Sequence, residues 1–190
     1  MALPSNGQPS SASLSQQQIF ITSHNSDAKA IVHSENKFKW LPFDNDQMAF
    51  SLLYSTSQFP PNLNGDADIK SHDALLKAPL SLVNPAGTIL RCVDFCPSYK
   101  CAMHRTQSLD YGIVLAGTID MVLDSGDVRH LKAGDVVVQR ATNHQWINTS
   151  ETEWARMMFV LQATAPVTVG DTTLGEDLGE GADLLPEKPQ

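Results

Sequence analysis

From residue 88 to residue 162 the chain is a series of short β-prone runs, each closed by a turn signal, and this pattern constrains the fold most. The runs lie at 88–95, 111–115, 118–123, 128–131, 135–139, 144–148 and 154–162. The separators are Ala116-Gly117, Asp124-Ser125-Gly126-Asp127, Ala133-Gly134 and the polar stretch 148–151. Short alternating strands at such spacing belong to a sandwich or a barrel. Gly126 supplies the positive φ that a tight hairpin needs between 121–123 and 128–131. Further β-prone runs precede them at 19–22, 30–32, 38–41 and 50–55, and 58–68 reads as loop around Pro60-Pro61 and Asn64-Gly65. The one helical candidate is short, at 71–77. The expected class is therefore all-β.

A chain of 190 residues holds one domain with tails. The reading divides it into a disordered N-terminal tail at 1–18, strands and loops packing on the barrel at 19–87, the barrel itself at 88–165, and an acidic C-terminal tail at 166–190. Net charge is −8, and six acids from Asp171 onward face only Lys188, so the rest of the chain is near balance. No basic stripe is present, which argues against nucleic acid as a partner. No apolar run approaches the roughly 20 residues of a membrane span. Residues 1–18 lack the basic and apolar regions of a secretory signal. Cys92, Cys96 and Cys101 are odd in number and have no second closely spaced pair, so they read as reduced structural thiols and not as a zinc site. A cytoplasmic setting follows as the expectation. Residues 19–41 offer β-rich segments that can cover a partner's sheet edge, so a homodimer is expected.

The residues that carry chemistry sit in the barrel. Side chains alternate along a strand, so His104 and Thr106 share a face, as do His144 and Trp146. With their strands adjacent, His104, Asp110 and His144 converge as two imidazoles and a carboxylate, a facial triad with open positions. That set suits iron first, with zinc, manganese, nickel or cobalt also able to occupy it. Buried structural histidines and a turn-capping Asp110 are the plainer alternative. Thr106 either meets a ligand or fills the strand. Trp146 walls the pocket beside His144, Tyr111 and Met121 are core or pocket lining, and Gln139 reaches a ligand oxygen or pairs structurally. Arg105 points away from His104. The pocket's ligand is a small molecule.

These motifs resemble the cupins, whose first motif is G-x5-H-x-H-x3-E-x6-G and whose second ends in G-x2-H-x3-N. The chain reads Ser98-x5-His104-x-Thr106-x3-Asp110-x6-Gly117 and Ala141-x2-His144-x3-Asn148, with every spacing within these stretches kept. Ser98, Thr106, Asp110 and Ala141 depart from the pattern, as does Gln139 where many cupins have proline. The wording around His104-Arg105-Thr106, Ser108-Leu109-Asp110-Tyr111-Gly112 and Thr142-Asn143-His144 is similar to a subfamily of small single-domain cupins of the cupin 2 type. Such proteins are widespread in bacteria and occur in fungal polyketide gene clusters as cupin-domain oxidoreductases. The likeness extends upstream to Ile19 and includes Thr22-x-His24. It implies a jelly-roll barrel with an N-terminal β-rich extension, in which Thr106 and Asp110 are the usual residues. It also implies a metal-dependent oxidoreductase or oxygenase of secondary metabolism, acting on a small aromatic or polyketide-derived substrate. A non-redox metal-dependent decarboxylase, dehydratase or isomerase, and a non-catalytic binding barrel, are the alternatives. No helix-turn-helix accompanies the barrel, so a transcription regulator is not expected.

Overall fold

The structure, a computed structural model, describes residues 7–9, 14–77 and 82–179. A hairpin of β1 (Gln18–His24) and β2 (Ala30–Lys37) comes first, then β3 (Leu41–Phe43) and β4 (Met48–Ser55). A 3-10 turn at Asn64–Asp66 leads into α1 (Ala67–Leu75). The barrel strands follow as β5 (Thr88–Phe95), β6 (Ser108–Ala116), β7 (Thr118–Leu123), β8 (Val128–Lys132), β9 (Val136–Arg140), β10 (His144–Ile147) and β11 (Ala155–Ala163). A small hairpin of β12 (Val167–Val169) and β13 (Thr172–Leu174) closes the described chain. The all-β expectation holds.

Two sheets form the barrel. The larger has the order β3-β4-β5-β11-β6-β9 and the smaller β10-β7-β8, so β11 returns to lie between β5 and β6. Alternation then decides what each face carries. Ile89, Val93 and Phe95 of β5 face inward with Met157, Phe159 and Leu161 of β11, Val114 of β6, Ile119 of β7 and Trp146 of β10 in one buried cluster. The other face of the large sheet carries Ala49, Leu53 and Cys92, covered by Phe38 and Trp40. Each buried Val, Leu, Ile, Phe or Met among these contributes about 1.5–3 kcal/mol, so both faces hold the sheet.

On that outer face Arg156 and Asp94 form a buried two-pronged ion pair, with both N···O distances at 2.6 Å. The same guanidinium lies 4.6 Å from the Trp40 ring centroid. Its Nη1 donates to Ser15 O at 2.9 Å and Gln17 Oε1 at 3.1 Å. The expected disorder of residues 1–18 therefore does not hold for their described part. Gln8 is 2% exposed, and Gly7 lies so close to Trp40 O that no Cβ fits there. The rest of that expectation, at 1–6 and 10–13, lies outside the described residues.

Three further expectations are corrected. β4, placed by the sequence among the strands packing on the barrel, is part of its large sheet: it pairs with β5 along its whole length, and its inward Met48 and Phe50 belong to the barrel core. The stretch 166–179 is not a featureless acidic tail. It holds the β12–β13 hairpin and then bridges Arg105 to Asp177, with Arg105 Nε donating to Gly175 O at 2.7 Å. Residues 180–190 of that expected tail lie outside the described residues. The helix spans Ala67–Leu75 and not 71–77, and its His72 is buried, with Nδ1 3.1 Å from Ser55 Oγ and its ring stacked on Tyr54. Among the described residues no helix is long and apolar enough to cross a membrane.

Candidate functional site

Between the two sheets lies a cavity of about 740 Å³. Its walls come from β4 (Met48, Phe50), β5 (Arg91, Val93, Phe95) and β11 (Phe159, Leu161), with Trp146 of β10 opposite. His104, Thr106, Asp110 and His144 all line it. The volume and the largely apolar wall fit a small organic ligand.

The two histidines are neighbours by backbone pairing. His104 and His144 exchange N–H···O bonds of 2.8 and 2.9 Å in an isolated bridge, which brings their ring centroids to 4.3 Å. His104 Nδ1 lies 3.0 Å from Ala102 O, and His144 Nδ1 lies 3.0 Å from Thr142 O. A carbonyl oxygen only accepts, so each Nδ1 carries the proton and each Nε2 keeps its lone pair. Burial pushes both imidazoles below their ordinary range. His144 falls to about 3, first through burial and then through His104 beside it. Both rings are neutral near pH 7, the form that binds metals.

Asp110 sits elsewhere in the cavity wall. It lies on β6 in the large sheet, whereas His144 is on β10 in the small one and His104 lies outside the strands. Burial pushes its carboxyl up to about 6, against hydrogen bonds from Ser108 and Thr106 and the charge of Arg91. Thr106 Oγ1 donates to Asp110 Oδ2 at 3.4 Å and accepts from Ser108 Oγ at 2.8 Å. Asp110 Oδ1 is buried with no hydrogen-bond partner among the described residues. Thr106, at the position of the second motif histidine, therefore positions the carboxylate.

The donor set fits a divalent cation in part. Two neutral imidazoles with bare Nε2 atoms form a ready pair, and Asp110 has an oxygen to spare in the same cavity. Yet among the described residues no three His, Cys, Asp or Glu side chains stand together as a ligand set.

The expected pocket residues divide. Thr106 and Trp146 line the cavity, whereas Tyr111, Met121 and Gln139 do not. Tyr111 is one residue out of phase with the inward Asp110, so alternation leaves it 39% exposed. Met121 pairs with Trp146 across β7 and β10 and packs on the core. Gln139 faces Asp110 across β9 and β6, but its amide donates to Thr142 Oγ1. Sequence reasoning missed Arg91, although its even spacing with Ile89, Val93 and Phe95 places it on the inward face. It also missed Leu178 and Gly179, which reach the cavity from the C-terminal segment and carry no motif.

No family model matches the chain. It is 46% identical to phomopsin biosynthesis cluster protein D of Diaporthe leptostromiformis, over 70% of this chain and 71% of that one. Oryzines biosynthesis cluster protein J of Aspergillus oryzae is 36% identical, over 85% and 90%. A cupin-domain-containing oxidoreductase of Hypocrea virens is 38% identical, over 80% and 78%. Among solved structures, a cupin-2 domain from Rhodospirillum rubrum aligns with a TM-score of 0.44 at 12% identity, covering 88% of this chain and 78% of that one.

Proposed function

Because the chain belongs to the small cupin-domain proteins of fungal biosynthesis clusters, we propose that it is a metal-dependent oxidoreductase of secondary metabolism. Its substrate is a small aromatic or polyketide-derived molecule. The observation that carries this reading is the imidazole pair, His104 and His144, with both Nδ1 atoms tied to carbonyls and both rings in an apolar cavity. His104 and His144 would hold the cation, and Asp110 stands in the same cavity. When bound, the cation supplies Lewis acidity and, as iron, a redox centre with open positions.

The chain's own side chains do the rest. Phe50, Phe159 and Trp146 exclude water from the ligand's apolar body and orient it. Asp110, held near neutral pH in its titration, takes or returns a proton at Oδ1, and Thr106 keeps Oδ2 in place. That carboxyl also favours a second reading, a non-redox isomerase or lyase in which proton transfer is the whole reaction.

Metal analysis of the purified protein, followed by turnover with and without oxygen, tests both. Stoichiometric iron with oxygen consumption supports the oxidoreductase, and anaerobic turnover moves the assignment to the isomerase or lyase. Absence of any bound metal after reconstitution sinks the metal-dependent reading.

A further inference from the structure

We propose that the outer face of the large sheet is the interface of a two-fold homodimer, in which the β1–β2 hairpin of each copy covers the bare β6–β9 end of the other. The starting point is what three strands turn outward. β6 presents Tyr111 and Ile113 there, β9 presents Val136 and Val138, and β11 presents Met158 and Val160, in register across the sheet. Of these only Tyr111 carries an oxygen, and Arg140 and Gln162 mark the border of the patch. A sheet face that stays in water carries polar side chains at such positions.

The chain covers one part of this face itself. Leu115 and Met158 lie against the cluster of Phe38 and Trp40, together with Ile19 of the hairpin. Val136 and Val138 are each more than half exposed, and Tyr111 is exposed beside them. β9 is the last strand of its sheet, and no described strand pairs with its other side. The hairpin is the complementary case. β1 and β2 form a sheet of their own, and β2 is exposed at every position but Ser34. Phe20 and Val32 are more than half exposed, and Ile31 is exposed as well. An isolated two-stranded hairpin is marginal in water, so a second surface is what steadies it.

Position decides the partner. The hairpin stands at the β4 end of the sheet, where Ser23 Oγ donates to Asp66 Oδ1 at 2.6 Å, just before the helix that packs on β4. The bare patch stands at the opposite end, on β6 and β9. A two-fold axis running along the strands, between two sheets set back to back, exchanges these ends. It brings each hairpin onto the other copy's patch, so one operation covers both features. An unrelated partner would cover one and leave the other in water. Phe20, Ile31, Val32, Tyr111, Val136 and Val138 leave roughly 600 Å² of one chain exposed, which with polar neighbours approaches the ~800 Å² per partner of a stable interface.

The test is sedimentation of the full chain and of two variants, Val32→Lys and Val138→Glu, at positions that do not line the cavity. The wild type should sediment as a dimer at about 10 μM, and each variant alone should dissociate at least about tenfold more readily. Mixing the two variants joins one unaltered hairpin to one unaltered sheet face and brings Lys to the face that carries Glu, so dimers should return. Phe20→Lys with Val136→Glu repeats the exchange if circular dichroism shows either first variant unfolded. A monomeric wild type, a dimer that neither variant weakens, or variants that stay monomeric on mixing overturns the interface. None of these readouts involves metal or turnover, so failure here is distinct from failure of the proposed reaction.

Discussion

Replacing Asp110 by asparagine should make the protein more stable at neutral pH, and the structure sets the size of the gain. The carboxyl is pushed from 3.8 up to about 6 by burial. That is about two units, and at about 1.4 kcal/mol per unit it corresponds to about 3 kcal/mol. The sign follows from proton counting. Between those two values the folded state holds the proton and the unfolded chain has lost it. Asp110 therefore costs nothing below the unfolded value; its penalty grows between 3.8 and about 6 and is constant above that. Asparagine stays neutral and leaves the Thr106 hydroxyl an acceptor. Urea unfolding of the metal-free wild type and of Asp110→Asn, at matched ionic strength between about pH 5 and 8, gives the difference directly. The variant's advantage should grow up to about pH 6 and then level off at about 3 kcal/mol. Other titrating groups are shared by both proteins and cancel to first order. A difference that does not change with pH, or a variant less stable at pH 8, would refute the reasoning. It would mean that Arg91 and Thr106 already satisfy the carboxylate.

His144 has the opposite slope: its imidazole falls to about 3 in the fold, so stability is full above its unfolded value near 6.5 and is lost as pH falls. His144→Gln should flatten that acid limb in urea titrations, and metal analysis of the same variant should show the bound ion lost. Asp94→Ala leaves Arg156 buried and unanswered and should cost about 3–5 kcal/mol in denaturant unfolding, with earlier proteolysis near residues 14–17. Gly117→Ala should cost more than about 1 kcal/mol in the same assay, because φ is +72° and a Cβ would lie 2.8 Å from Trp154 O. Ending the chain after Leu174 removes Leu178 and Gly179 from the cavity wall, so a bound fluorescent probe should dissociate severalfold faster with little change in melting temperature.

The strands from residue 88 onward were legible because period-two alternation and glycine turns are local properties, and β5 and β7 run as read. The motif spacing likewise brought His104 and His144 to one place. The position of Asp110 relative to that pair was less legible, since strand order is non-local. Spacing says that Asp110 follows His104 by six residues, but not that β6 joins β9 and β11 while β10 joins β7. Tyr111 was misplaced by proximity to the motif when its phase already pointed outward. Arg91 was overlooked for the converse reason, because a charge within an apolar run draws less notice than a motif histidine. The anchoring of residues 14–17 could not be read at all, since it depends on one arginine about 140 positions away.

The C-terminal crossing bears on when the site can be filled. Arg105 holds Gly175 and Asp177 across 70 residues of sequence, and Leu178 and Gly179 complete the cavity wall. Opening of residues 175–179 alone leaves every barrel strand paired with its neighbours, because that segment lies outside both sheets. The cavity then stays walled on its sheet sides while one edge opens, so an ion or small molecule exchanges without the barrel unfolding.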